Sequence, residues 1–297
     1  MKFVNAGKFY NANILILGGD LTAKGFVTLI EQPNGKFETV FRGKELTLQS
    51  EEELERVEKM IRAAGFYTYR TTPQEIEELS RSDAKREEVT LRLAMESLER
   101  WIQIADERLE GTNIKLYLTA GNDDPFEIDS ILRRNWRNVI DAEGKVVRLD
   151  GDHEMISTGY GNITPWKCPR DVSEEKLSEK IDMMISQVED VTKCIFNFHV
   201  PPYDSRLDDA PEIDEEFKMK YSGAKLVPVG SRAVRAAIER YQPLLALHGH
   251  IHESKGSCNI GRTLCLNPGS AYTEGVLQGV LIDLDKKGVK GFVPTSG

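Results

Sequence analysis

The amino-acid sequence predicts an α/β fold, with layers of helix around a mostly parallel or mixed sheet. Three observations carry that expectation. Short continuous apolar runs, NILIL at 13–17 and CIFNF at 194–198 among them, have the length of strands buried on both faces. Segments with helical periodicity alternate with them. Several of the apolar runs also break abruptly into glycine and a polar residue, or straight into histidine.

Residues 1–12 predict a short helix with Phe3, Val4, Phe9 and Tyr10 as apolar positions, and NILIL follows as the first strand. VTLIEQPNGKFETVF reads as a hairpin around Pro33, Asn34 and Gly35. Over residues 50–110 the character changes. SEEELERVEKMIRAAG begins at Ser50, a natural N-cap, carries acids in its first turn and stops at Gly65. TPQEIEELSRS is a second helical piece, and DAKREEVTLRLAMESLERWIQIADERLEG a long amphipathic helix ending at Gly111. This stretch is expected to be a helical insertion at 50–110 within one domain spanning 1–297. It reads either as a solvated cap on the main domain or as a lid over a substrate.

Strands resume with IKLYL and with two short runs in KVVRLDGDHEMISTGY. SEEKLSEKIDMMISQVED, again serine-capped, is an amphipathic helix; CIFNF, the helix SRAVRAAIERYQ and the strand LLAL follow. The last segments, RTLCLNPGSAY, GVLQGVLIDLD and GVKGFVP, are β-rich.

The chain has 297 residues, 40% of them apolar, enough to bury a sizeable core. No apolar run approaches the ~20 residues of a membrane span, so no membrane partner is expected. No secretory signal precedes the first element, which points to a cytoplasmic location. The formal net charge of −9 and the lack of a basic stripe argue against a nucleic-acid partner. They leave room for a small phosphate ester in a pocket, because bound cations can supply local positive charge. Cys168, Cys194, Cys258 and Cys265 have neither CxxC spacing nor a disulfide framework and read as reduced packing residues.

Four of the expected strands end on a group that can bind a metal. NILILGGD delivers Asp20, IKLYLTAGND delivers Asn122 and Asp123, CIFNFH delivers His199, and LLALHGHIH delivers His250 and His252. Ligands of open α/β sheets bind beyond the carboxyl ends of strands, so these ends are expected to converge. His250 and His252 are two residues apart and would share a face in extended backbone. Imidazole suits zinc, manganese, iron or nickel, whereas carboxylate and amide oxygens suit harder ions.

The order GGD, GND, a lone histidine at a strand end and GHIH resembles the calcineurin-like metallophosphoesterase family, whose blocks run DxH, GD, GNH with an acid, H and GHxH. NPGS at 267–270 is similar to related bacterial and archaeal phosphodiesterases. The resemblance covers most of the chain outside the helical insertion. It implies a two-sheet β-sandwich flanked by helices and a dinuclear centre of two divalent ions, Mn, Fe, Zn or Ni. Asp20 would bridge the ions; Asn122, His199 and His250 would complete one site, and His252 would bind the other ion. The implied function is hydrolysis of a phosphodiester, or less favourably a phosphomonoester, the ions binding phosphate oxygens and lowering the pKa of the attacking water.

Two departures qualify that implication. Asp123 stands where the family has a histidine that assists the leaving group; an anionic carboxylate is a poor general acid, so with Asn122 it is the catalytic candidate of a slower enzyme. The DxH block is absent, and no Asp or His precedes Asp20. Either the natural protein begins earlier than Met1, or the chain holds one metal or none. The first is preferred because a missing central strand would expose the apolar faces of its neighbours. Since relatives with impaired metal sites serve as protein-binding platforms, a catalytically silent scaffold is the competing reading, and a nuclease a third. Outside the motifs, His153 reads as a surface or loop residue, His248 as a supporting or packing group, and Asp124 as an N-cap for PFEIDSILRR with Pro125 at the first helical position.

Overall fold

The computed structural model describes residues 2–214 and 225–297. Met1, which the sequence places in the first helix, lies outside them. In chain order the described residues form α1 (Lys2–Phe9), β1 (Ile14–Leu17), β2 (Phe26–Glu31), β3 (Phe37–Phe41), β4 (Lys44–Leu48), α2 (Glu51–Ala63), β5 (Tyr67–Thr71), α3 (Pro73–Arg81), α4 (Asp83–Leu109), β6 (Lys115–Leu118), α5 (Asp129–Leu132), β7 (Val139–Asp141), β8 (Val146–Arg148) and β9 (Glu154–Thr158). They continue as β10 (Gly161–Asn162), β11 (Asp171–Val172), α6 (Glu174–Ile185), β12 (Ile195–Phe198), β13 (Asp209–Pro211), β14 (Leu226–Pro228), α7 (Arg232–Tyr241), β15 (Leu245–Leu247), β16 (Gly256–Ile260), β17 (Thr263–Asn267), β18 (Gln278–Asp285) and β19 (Gly288–Ser296). The fold is mixed α/β.

The chain divides into two compact units. One comprises Met1–Leu21, Ile102–Ser270 and Leu277–Gly297, the other Thr22–Trp101 and Ala271–Val276. In the first, a six-stranded sheet has the order β16-β17-β15-β12-β9-β8, with β9, β12, β15 and β17 parallel and the two edge strands antiparallel. β1, β6 and β7 form a second, parallel sheet, which a bridge from Glu143 to Ser157 connects to β9.

Side chains of the larger sheet alternate between two cores, as the pleat requires. Met155, Ile195, Leu245 and Leu266 share one core with Tyr117 of β6 and with Val280, Ile282 and Phe292 of the β18–β19 hairpin. Ile156, Phe196, Phe198, Ala246 and Cys265 face the other way, onto Leu177 and Ile181 of α6 and Val234 and Ile238 of α7. Burial on both faces explains why CIFNF is apolar without interruption apart from Asn197. Both helices start at serine N-caps: Ser173 Oγ accepts from Lys176 N, and Ser231 Oγ from Val234 N.

The second unit is built on the sheet β4-β3-β2-β5, with α2 packed against it through Leu54, Val57 and Ile61. The hairpin around Pro33–Gly35 forms as expected, β2 pairing antiparallel with β3. Helices occupy most of 50–110, but the purely helical expectation misses β5, which pairs parallel with β2. Its sequence YTYRT is aromatic and β-branched, which favours a strand between the two helices.

Candidate metal centre

Every motif residue lies in the first unit, just beyond a strand end. Register brings the ends together: Leu17 of β1 is level with Leu118 of β6, and Asn197 of β12 with Leu247 of β15. The backbone continues the ladder past the strands, with Thr119 N donating to Leu17 O at 3.1 Å and Gly249 N to His199 O at 2.9 Å.

Asp20 is the carboxylate that faces the histidines. Its backbone has φ 50, left-handed for a residue with a Cβ, and follows Gly19 at φ 129. Neither Gly19 nor Gly121 has room for a side chain: a Cβ on Gly19 would overlap the His199 ring, and one on Gly121 would overlap Asp20 N and Oδ1. The glycines of GGD and GND are thus set by close approach between loops. Asp20 Oδ1 lies 3.4 Å from His199 Nε2, and Oδ2 lies 3.8 Å from His252 Nε2. Burial would raise the Asp20 carboxyl, but the facing histidines outweigh it and hold it well below its ordinary range.

His199 is 2% exposed, and its Nδ1 sits 2.9 Å from the Gly18 carbonyl. A carbonyl only accepts, so Nδ1 carries a proton, and in neutral imidazole Nε2 is left as a lone pair. That Nε2 and Asp20 Oδ1 are both buried without a hydrogen-bond partner. Burial disfavours charge on His199, yet the Asp20 carboxylate raises its pKa above the ordinary value.

His250 packs edge-on to His199, ring centroids 5.2 Å apart. It does not share a pleated face with His252, because β15 ends at Leu247 and His250 has φ 63. Ile251 N donates to Gly249 O at 2.7 Å around it, the i→i+2 closure of a γ-turn of the rare, strained hand. The two imidazoles approach Asp20 through this turn. Burial, then the neighbouring His199, pushes His250 down to about 3, so it is a neutral donor at physiological pH. Asn267, of NPGS, holds the turn: its Nδ2 donates to Leu207 O, Gly249 O and Ile251 O at 3.0–3.2 Å.

Asn122 is 2% exposed and donates through Nδ2 to Asp171 Oδ1 at 2.9 Å. Asp123 is half-buried and accepts from Cys168 Sγ at 3.6 Å. Asp124 is fully buried and is no N-cap. Its Oδ2 instead accepts from Gly121 N at 2.7 Å and Leu21 N at 2.9 Å, tying the GGD loop to the GND loop. The short helix that follows has no side-chain cap. Arg170, 1% exposed, clamps the same loop by donating to Asp124 O, Pro125 O and Asp129 Oδ1. His248 is buried with Nδ1 between the Phe198 and Val200 carbonyls, and burial pushes it down to about 4. His153 is no surface residue: it is 2% exposed, and its Nδ1 meets Asp150 at 2.9 Å. Sequence reasoning missed Asp171, Arg170 and Asn197, whose Nδ2 donates to Thr119 and Ser157 between the sheets. Asn197 alone carried a signal, as a polar residue inside an otherwise apolar strand.

With His199 neutral, its Nε2 and Asp20 Oδ1 would be two buried lone-pair atoms facing each other without a hydrogen bond, which fits a cation held between them, and the oxygen and imidazole set suits a divalent transition ion. Among the described residues, however, no three His, Cys, Asp or Glu side chains are gathered tightly enough to hold a metal ion as they stand. Among the same residues, no helix is long and apolar enough to cross a membrane.

No family model matches the chain. It is 26% identical over 157 residues to the uncharacterized protein MJ1162 of Methanocaldococcus jannaschii, a match spanning 52% of this chain and 64% of that protein's length. One crystal structure, 17% identical, superposes with TM-score 0.51 over 90% of this chain and 84% of its own, a likeness of fold alone. A crystal structure of TT1561 from Thermus thermophilus is 16% identical, with TM-score 0.39 over 61% of this chain and 73% of that one, too slight a likeness to carry an inference.

Proposed function

We propose that the chain is a metallophosphoesterase of the calcineurin-like type, a hydrolase of phosphate esters that favours phosphodiesters. The observation that carries this reading is the pair Asp20 Oδ1 and His199 Nε2, buried, facing each other at 3.4 Å and without a hydrogen-bond partner. The two packed sheets fit that family's sandwich. Asp20, Asn122, His199, His250 and His252 would hold one or two divalent ions. Such ions supply Lewis-acid polarisation of phosphoryl oxygens and acidify water.

The chain's own residues prepare that chemistry. His250 stays neutral through burial, and the Gly18 carbonyl fixes the His199 tautomer. Asp20 offers a separate oxygen to each of His199 and His252, the arrangement expected of a bridging carboxylate. Asp123 accepts from the Cys168 thiol and stands in the block where the resemblance implies a group that would protonate the leaving group. An ionised carboxylate serves that role poorly, which favours substrates with good leaving groups.

The loose gathering of the ligands supports a second reading, a catalytically silent scaffold of the same fold. Hydrolysis of bis-p-nitrophenyl phosphate by the full chain with Mn²⁺ separates the two. Metal-dependent turnover abolished by His250→Ala is expected of the enzyme. Turnover that survives His250→Ala would refute the site, and its absence in the wild type would favour the scaffold.

A further inference from the structure

We propose that Asp171 is a positioning residue that decides which end of the Asn122 amide is available to a cation. The inference rests on the metal-centre reading above and names a residue that reading does not use.

Asp171 stands at the start of β11, paired with Gly161 of β10. Its two oxygens divide their work. Oδ2 accepts from Thr164 N at 2.8 Å, Thr164 Oγ1 at 2.6 Å and Cys168 N at 3.0 Å, which fixes the carboxylate in place. Oδ1 accepts from Asn122 Nδ2 at 2.9 Å. A carboxylate can only accept, whereas an amide has one donating and one accepting end. Asn122 must therefore turn its NH₂ to Asp171, which leaves the carbonyl oxygen as the end offered elsewhere. Only that end can coordinate a metal. Asn122 is 2% exposed, so bulk water cannot compensate a reversed amide.

The same geometry accounts for an amide at position 122. An aspartate there would set two carboxylates at hydrogen-bond distance, and like charges so close oppose each other. Asp171 thus selects asparagine at 122 and orients it in one contact.

The polarity of that contact can be reversed by mutation. In Asp171→Asn the remaining oxygen still serves the Thr164 and Cys168 donors, but a new NH₂ opposes the NH₂ of Asn122. The clash turns Asn122 over and points its NH₂ where the oxygen was. In the double variant Asn122→Asp with Asp171→Asn the hydrogen bond returns with donor and acceptor exchanged, and an oxygen again faces outward.

The test is calorimetric titration of the full chain with Mn²⁺, together with the melting temperature of each metal-free variant. Asp171→Asn is expected to weaken Mn²⁺ binding by about 10- to 100-fold while its metal-free melting temperature stays at the wild-type value. Asn122→Asp alone is expected to weaken binding too, and the double variant to bind more tightly than either single one. Asp171→Asn binding Mn²⁺ as the wild type does would overturn the proposal. So would a lowered metal-free melting temperature with no recovery in the double variant, the pattern of a purely structural role. Failure of the metal-centre reading looks different, because the wild type itself would then bind no Mn²⁺.

Discussion

His199 Nε2 lies 3.4 Å from Asp20 Oδ1, and neither buried atom has a hydrogen-bond partner. Without metal, charge is what links them: the carboxylate holds the imidazole pKa up against the burial that would push it down. Asp20→Asn removes that charge and leaves burial in control. The His199 pKa, followed by NMR in the metal-free protein, should fall below its ordinary value in the variant. An unchanged titration would mean that Asp20 does not govern this ring.

Glu143 supplies a pH dependence outside the cluster. Its carboxylate accepts from Gly159 N at 2.7 Å and Thr158 Oγ1 at 3.1 Å, yet burial pushes its pKa up to about 7. The folded chain keeps a proton there that the unfolded chain has already lost above about pH 4.5, so stability falls as pH rises across that window. The full effect is about 3 kcal/mol. Glu143→Gln should flatten the loss of stability between pH 4.5 and 7 in chemical denaturation. A slope unchanged by the substitution would remove Glu143 as its source.

Gly121→Ala should be among the costly single changes in the protein. The added methyl would overlap Asp20 Oδ1 and also the Asp20 backbone nitrogen, which cannot swing aside as the end of a side chain can. A loss of about 3 kcal/mol is expected. Gly151→Ala is the control, since a Cβ there meets nothing within 4 Å. Equal melting temperatures for the two variants would contradict the packing described.

Arg170→Lys should be far from conservative. The guanidinium reaches two carbonyls and the Asp129 carboxylate at once and stacks on Phe126, 4.7 Å from the ring centroid. A lysine ammonium cannot span that fork. The expected cost is about 3 kcal/mol, read from denaturant midpoints, with weakened Mn²⁺ affinity because Asp124 and its loop lose their clamp.

What could be read in the sequence follows from how locally each feature is determined. Strands β6, β12 and β15 were legible because burial on both faces favours continuous apolar runs, and β1 keeps such a run although it is a half-buried edge strand; their ends mark where Asp20, Asn122, His199, His250 and His252 leave the strands. The turn at His250 was not legible, because a strained γ-turn is imposed by Asn267 and the neighbouring loop rather than by HGHIH itself. Asp124 looked like a helix cap from its neighbours in sequence, but its partner Leu21 is 103 residues away. Asp171 and Arg170 sit in a segment without periodicity, and only the fold brings them to the GND loop. His153 keeps the loop position expected of it but is buried, because a loop histidine whose Nδ1 meets a nearby aspartate has the same local sequence as an exposed one.

The most direct measurement is calorimetric titration of the full chain with Mn²⁺, wild type beside Asp20→Asn. Saturable binding by the wild type, weakened at least about a hundredfold by the substitution, is the expected result. Equal affinity in the two proteins, or no binding by the wild type, would contradict a metal centre at Asp20 and His199.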